Sequence, residues 1–257
     1  MFVVTTSHKP TRQLTFEARK LADTYNLPFV SRRRLSDFKR FHRVEGVYVL
    51  EKSGRLVLHV RGERLFFHPS AAKIRYLNIK KGLVDYLIKA LEPEGNEIVF
   101  DATFGLGSEA LLMAAFLREG KVVGTEASVH IYRIVSYGLK HYRDEEEWVN
   151  EAMKRVEVIH TDFREYLSKV PDGSFDVVYC DPMFKNPRFE SSSMNPLRPV
   201  AVYDSVDTDD LEEFLRVARK KVIIKSHMED DLLDRLGIRK VMGSSRSGVI
   251  YGVVRKE

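Results

Sequence analysis

The sequence predicts an α/β protein, with a mostly parallel sheet of seven strands, an antiparallel last strand, and a small α/β unit ahead of it. Three observations carry that reading. From residue 97 to 226 short apolar runs alternate with helical patterns, which implies parallel strands joined by helical crossovers and covered on both faces. The chain then closes with two strands meeting at a turn at 244–248, a hairpin that sets an antiparallel strand on the sheet. Before residue 78 the pattern differs, with one helix followed by a three-stranded meander.

In chain order, residues 1–6 read as a strand and 11–26 as a helix with Leu14, Ala18, Leu21 and Tyr25 on one face, stopped by Pro28. The meander runs from Val47, through 55–60, to Phe67, with turns at 52–54 and Gly62. Residues 71–91 read as one helix, separated by Pro93 and Gly95 from the next strand. A boundary near Asn78 then gives a basic domain, 1–78, and a larger one, 79–257. In the larger domain strands are expected at 97–101, 121–126, 156–160, 176–181 and 221–226, with helices at 108–118, 129–142, 209–219 and 229–236. Trp148, just past four acidic residues, marks an exposed helix start.

A chain of 257 residues supports one large core, and 44% hydrophobic with 31% charged residues is a globular composition, which excludes disordered, fibrous and disulfide-miniprotein classes. A single cysteine, Cys180, excludes an internal disulfide and a multi-thiolate zinc site, and the eight histidines show no metal-ligand spacing. No metal is expected. No run approaches the roughly 20 apolar residues of a membrane span, and the amino terminus lacks a signal-peptide stretch, so a cytoplasmic protein is expected. The net charge of +5 is uneven: residues 1–80 carry +11, leaving −6 for the rest. The basic part, densest at Arg32, Arg33, Arg34, Lys39, Arg40 and Arg43, is suited to nucleic acid and is equally readable as a solvated face.

Chemistry concentrates where strands end. The strand Ile98-Val99-Phe100-Asp101 runs into Ala102-Thr103-Phe104-Gly105-Leu106-Gly107 and a helix, a turn whose glycines let backbone N–H groups approach a nucleotide-type ligand. The next strand ends at Glu126, where a carboxylate can accept both hydroxyls of a ribose, and the third is followed by Asp162 and Phe163, suited to an adenine amine and ring. Each acid alone is as readily a helix cap or a surface residue; all three in register point to a site. The fourth strand runs straight into Asp181-Pro182-Met183-Phe184, which resembles the Asp/Asn-Pro-Pro-Tyr/Phe signature of methyltransferases acting on exocyclic amines. An aryl amine is a poor nucleophile because its lone pair is delocalised into the ring. Asp181 and the Pro182 carbonyl can accept its two N–H groups and localise that pair, while Phe184 stacks on the base.

Together these stretches resemble the class I S-adenosylmethionine (SAM)-dependent methyltransferases, and among them the RsmJ-type small-subunit ribosomal RNA guanine-N2-methyltransferases. That family carries a very similar Asp-Ala-Thr-x-Gly-Leu-Gly before an Asp-Pro-Met-Phe-Pro, and the likeness covers about residues 74–250. Lys185 stands where the family has a proline, and the loop at 186–202 departs from its pattern. The resemblance implies a Rossmann-like fold, SAM as methyl donor and S-adenosylhomocysteine as product. It places Asp101, Thr103, Gly105 and Gly107 near the methionine portion, Glu126 and Ala127 at the ribose, and Asp162 and Phe163 at the adenine. Asp181, Pro182 and Phe184 would carry the chemistry, and Arg32, Arg33, Arg34, Lys185, Arg188 and Lys225 would contact RNA, a small-subunit rRNA or ribosomal particle. Lys225 and Arg188 read equally as ordinary surface cations. An adenine-N6 or cytosine-N4 methyltransferase of DNA or of another RNA shares the amine chemistry, and Gly105-x-Gly107-x-x-Ala110 loosely fits an NAD-dependent or other Rossmann-type nucleotide-binding protein.

Overall fold

The computed structural model describes residues 1–182, 200–201 and 205–256, which form two compact units. The first comprises Met1–His68 and Arg133–Arg143. Its elements are β1 (Phe2–Thr6), α1 (Arg12–Tyr25), a 3-10 turn at Arg32–Arg34, α2 (Leu35–Phe41), β2 (Gly46–Leu50), β3 (Leu56–Val60) and β4 (Glu63–Phe66). The sheet order is β1-β2-β3-β4; β1 is parallel to β2 across the helical crossover, and the expected meander forms the antiparallel remainder. Thr11 caps α1, its Oγ1 accepting from Leu14 N at 3.1 Å. Leu14, Ala18 and Ala22 form the buried stripe, and the helix ends at Asn26 (φ 52°) before Pro28 is reached.

The second unit contains Pro69–Tyr132 together with 144–182 and 205–256. It holds α3 (Ser70–Lys80), α4 (Tyr86–Leu91), β5 (Ile98–Asp101), α5 (Ser108–Ala114), β6 (Lys121–Glu126), α6 (Val129–His141, of which only the start belongs here), α7 (Glu147–Lys154) and β7 (Val156–His160). Then come α8 (Phe163–Leu167), β8 (Phe175–Cys180), α9 (Thr208–Val217), β9 (Ala218–His227), α10 (Leu232–Arg235), β10 (Val241–Gly243) and β11 (Val249–Arg255). Seven strands lie in the order β10-β11-β9-β8-β5-β6-β7; β5 to β9 are mutually parallel, and β11 runs antiparallel to β9 and β10. Both faces are covered. Phe100, Val178, Cys180, Val222 and Ile224 share a core with Phe214 and Val217 of α9 and with Leu232 and Leu233 of α10. Alternate residues Val99, Val177, Tyr179 and Ile223 are buried on the opposite face, as two-sided burial of a parallel sheet requires.

Three expectations are corrected. The helix expected over 71–91 is two helices, α3 and α4, broken at Gly82 (φ 83°), a conformation that takes the chain out of a helix. The expected division at Asn78 falls inside α3, whose Tyr76 stacks on Trp148 at 4.1 Å, so the change of unit comes at His68–Pro69. Residues 133–143, expected in the larger domain, group with the first unit: Arg133 donates to Tyr25 O at 2.7 Å, and Gly138 lies so close to Phe67 that a Cβ there would come within 2.2 Å of the ring. Among the described residues, no helix is long and apolar enough to cross a membrane.

From β5 the chain winds outward through β6 to β7 and then returns to β8 on the other side of β5. Crossover helices therefore diverge at the carboxyl ends of β5 and β8, and open α/β sheets bind their ligands at such a reversal. Asp101 and Asp181 stand there.

Candidate active site

The turn after β5 is built around a buried phenylalanine. Phe104 donates from its backbone to Thr125 O at 3.0 Å, and its ring occupies the space that side chains on Gly107 and Gly124 would need: an added Cβ would come within 2.6 Å and 2.3 Å of it. Gly107 also has φ 75°, so the fold itself demands glycine there. Gly105 (φ 54°) shares the left-handed backbone but not the crowding: among the described residues only Thr103 O, at 3.9 Å, comes within 4 Å of a would-be Cβ. Among the described residues its outer side is open.

Two carboxylates are buried beside this turn. Glu126 Oε2 accepts from Gly105 N at 3.0 Å and Oε1 from Ser128 N at 2.7 Å. Burial nevertheless outweighs those bonds and lifts the carboxyl from 4.5 to about 7. Asp101, at 1% exposure, accepts from Thr103 N at 3.2 Å; burial, with Glu109, Asp181 and Glu126 as like charges nearby, raises it well above the ordinary carboxylate range.

Asp181 is held at both ends. Its backbone N–H donates to Thr103 Oγ1 at 2.7 Å, tying the end of β8 to the turn after β5, and its Oδ2 accepts from Lys225 Nζ of β9 at 2.6 Å. Lys225 also donates to Glu109 Oε1 at 3.3 Å, and the same oxygen takes Arg75 at 3.1 Å. Arg75 forks onto both oxygens of Asp85 at 2.8 and 2.9 Å and reaches the Tyr251 hydroxyl at 3.5 Å. Burial pushes Asp181 up despite Lys225. Burial alone would raise Glu109 too, but Lys225 and Arg75 hold it below the ordinary value. Burial disfavours the Lys225 ammonium, and Asp181 with Glu109 more than restores it, keeping the lysine charged.

The sequence profile of the family described as "Putative SAM-dependent methyltransferase" matches residues 59–243. The chain belongs to this family. The Bacillus subtilis (strain 168) protein YpiP is 30% identical over 255 residues, 98% of this chain and 99% of that protein. "Ribosomal RNA small subunit methyltransferase J" of Francisella tularensis subsp. novicida is 25% identical over 215 residues, 80% of this chain and 87% of that protein. Among solved structures, a SAM-dependent methyltransferase from Neisseria gonorrhoeae superposes with a TM-score of 0.67 at 16% identity, over 99% of this chain and 96% of that one, a likeness of fold. The NAD-dependent alternative is set aside by the family match, and the antiparallel β11 agrees with that.

Within this SAM-dependent methyltransferase, the structure gathers Asp101, Thr103, Gly105, Gly107, Glu126, Ala127, Asp181 and Pro182 at one edge of the sheet, at or just beyond the carboxyl ends of β5, β6 and β8. Asp162 follows β7 at the same edge and caps α8, its Oδ1 accepting from Arg164 N at 2.8 Å. Two expectations change. The Phe163 ring packs in the core on Phe214, with centroids 5.4 Å apart, so its side chain is not at the edge where an adenine was expected. Lys225, expected to contact RNA, is engaged with Asp181 and Glu109, because β9 lies beside β8 and these half-buried acids draw its ammonium inward. Phe184, Lys185 and Arg188 lie outside the described residues. Arg32, Arg33 and Arg34 form the 3-10 turn of the first unit, where Arg33 and Arg34 are exposed and Arg32 Nε lies 3.4 Å from His8 Nε2. Cys180 is fully buried in β8.

The sequence reading missed Glu109, Arg75, Tyr251 and Gly124. Glu109 looked like an ordinary first-turn helix acid and Arg75 like one cation among many. Gly124, in the middle of a Val-Val-Gly-Thr-Glu strand, did leave a signal, since glycine inside a strand marks a close approach, here of Phe104.

Proposed function

We propose that this methyltransferase modifies an exocyclic amine of a nucleobase in RNA, with guanine N2 of small-subunit ribosomal RNA as the acceptor. The observation that carries the reading is the Asp181 carboxylate, fixed beside the turn after β5 and followed directly by Pro182. The Francisella relative, a ribosomal RNA small subunit methyltransferase, gives the reading its RNA context.

The residues present fit SAM. Gly105 leaves an open backbone surface for the methionine portion, next to Asp101 and Gly107. Glu126 and Ala127 take the ribose: both Glu126 oxygens are fixed by backbone N–H groups, and each keeps a lone pair for a hydroxyl. Asp162, with the backbone of Phe163, takes the adenine. SAM, when bound, supplies an electrophilic methyl on a sulfonium and leaves as S-adenosylhomocysteine. Asp181 and the Pro182 carbonyl accept the two amine N–H groups, aim the nitrogen lone pair, and disperse the positive charge that grows there. The released proton passes to Asp181 or water. Phe184 stacks on the target base, and Arg32, Arg33, Arg34, Lys185 and Arg188 contact RNA phosphates.

The test is transfer of labelled methyl from SAM to undermethylated small-subunit RNA, free and assembled, followed by nucleoside digestion and mass spectrometry. N2-methylguanosine is expected; N6-methyladenosine or N4-methylcytidine would overturn the acceptor assignment. Asp181→Ala should lower transfer by about 10²- to 10⁴-fold, the range for losing a group that stabilises the transition state, with S-adenosylhomocysteine affinity within a few fold of wild type. Wild-type turnover by this variant would remove Asp181 from the mechanism.

A further inference from the structure

We propose that Lys225, backed by Glu109 and Arg75, is a positioning residue for methyl transfer: it grips Asp181 by Oδ2 and leaves Oδ1 to the acceptor amine. This role rests on Asp181 being the group that receives that amine.

Its ground is a continuous chain of ion pairs anchored in a helix cap. Asp85 Oδ1 caps α4 by accepting from Leu87 N at 3.1 Å and Ile88 N at 3.2 Å, while the Asp85 carboxylate binds Arg75 bidentately. Arg75 holds Glu109, Glu109 holds Lys225, and Lys225 holds Asp181 at 2.6 Å. With the Asp181 backbone N–H already on Thr103, the carboxylate is fixed in position and rotation. An amine lone pair is aimed only as well as its acceptor is held, and misplacement of a positioning group by about 1 Å costs on the order of 10²-fold in rate.

Lys225 also decides whether Asp181 meets the amine as a charged acceptor. Facing Asp181 are Asp101 from β5, Glu109 from α5, Tyr179 from its own strand, Tyr251 from β11, and the two cations Lys225 and Arg75. Among the described residues the buried Tyr179 hydroxyl has no hydrogen-bond partner and donates to none of these acids. Without the lysine, Asp181 would share a half-buried site with Glu109 and the buried Asp101, and would bind a proton more tightly. A protonated carboxyl keeps one oxygen that accepts, but it loses the negative charge that strengthens the bond to the amine and disperses the positive charge growing there.

Opposite shifts from two variants test this. Lys225→Met should move the acidic limb of the kcat/KM profile up by about one pH unit or more, the usual effect of removing an adjacent opposite charge. It should lower kcat at neutral pH by about 10-fold or more, with S-adenosylhomocysteine affinity unchanged within about threefold, and Lys225→Arg should recover part of the rate. Glu109→Gln, which removes a like charge, should move the same limb down. Carboxyl ¹³C NMR of aspartate-labelled protein, with Asp181→Asn to assign the resonance, reads the Asp181 midpoint in each variant without any RNA. It also serves if Lys225→Met proves too unstable for kinetics, since Glu109→Gln alone then carries the sign. Unmoved midpoints and profiles in a protein whose Asp181→Asn variant is inactive would overturn the role of Lys225 alone. Full activity of Asp181→Asn would instead overturn the reading of Asp181.

Discussion

Glu126→Gln asks what the buried carboxylate at the end of β6 does to stability and to ligand binding without changing its shape. Glu126 is 8% exposed, and its carboxyl stands at about 7 in the fold against an ordinary 4.5. Below pH 4.5 the group is neutral in folded and unfolded chains alike and contributes nothing. Between pH 4.5 and about 7 only the unfolded chain ionises, so stability falls as pH rises; above about 7 both ionise and the loss is constant. At about 1.36 kcal/mol per pH unit that loss reaches about 3 kcal/mol. Glutamine carries no charge and escapes it. Its amide can accept only one of the two N–H groups, from Gly105 and Ser128, that Glu126 satisfies, which costs about 1–3 kcal/mol at every pH. The variant should therefore be less stable than wild type near pH 5 and match or exceed it at pH 8, the difference swinging by about 3 kcal/mol. Urea unfolding without ligand, followed through Trp148 fluorescence in the same unit, measures it across pH 5 to 8. A variant-minus-wild-type difference that stays flat with pH would refute the role of desolvation. Calorimetric titration with S-adenosylhomocysteine checks the second role, since an amide N–H facing a ribose hydroxyl should weaken binding about 10- to 100-fold. Unchanged affinity would take Glu126 away from the ribose.

Gly124→Ala should force the Phe104 ring and Asp101 apart, since the new Cβ would lie 2.3 Å from Phe104 Cδ2 and 3.0 Å from Asp101 O. Overpacking of this kind costs about 1–3 kcal/mol, read as a lower Tm, and the stabilisation by S-adenosylhomocysteine should shrink with it; an unaltered Tm would mean that the turn relaxes freely. Replacing Arg32, Arg33 and Arg34 with Gln should weaken RNA binding about equally for all sequences. The slope of log affinity against log salt should fall by about 1 for each arginine that contacts a phosphate, and an unchanged slope would return the turn to being a solvated face.

Strands were the most legible elements. The patterns at 121–126 and 156–160 match β6 and β7, and the closing hairpin turns at 244–248 as expected, because an apolar run bounded by polar residues is a local signal. Helix ends were less legible. Gly82 breaks the 71–91 pattern although Leu83 and Val84 carry apolar residues on through the exposed turn, and α5 ends at Ala114 although the apolar run continues to the buried Leu117. Residues 133–143 have a good helical pattern, and nothing in it distinguishes packing on Phe67 and Tyr25 from packing on the sheet.

The carboxyl-edge acids were legible one strand at a time, because each follows its own apolar run. Their partners were not. Glu109 and Arg75 carry no local mark of function, and only the pairing of β9 with β8 brings Lys225 to Asp181.

By itself the sequence determined the fold class, the glycine turn after the first strand of the large sheet, and the acids that end its strands. Each of these is written in residues a few positions apart, where hydrophobic period, glycine freedom and strand length act directly. Only the tertiary structure decided what those acids touch. The network around Asp181 joins Arg75 to Tyr251 across 176 positions of chain, and strand order brings its members together. Burial, which sets the charge each carboxyl carries, likewise belongs to the packed sheet and to no local stretch of it.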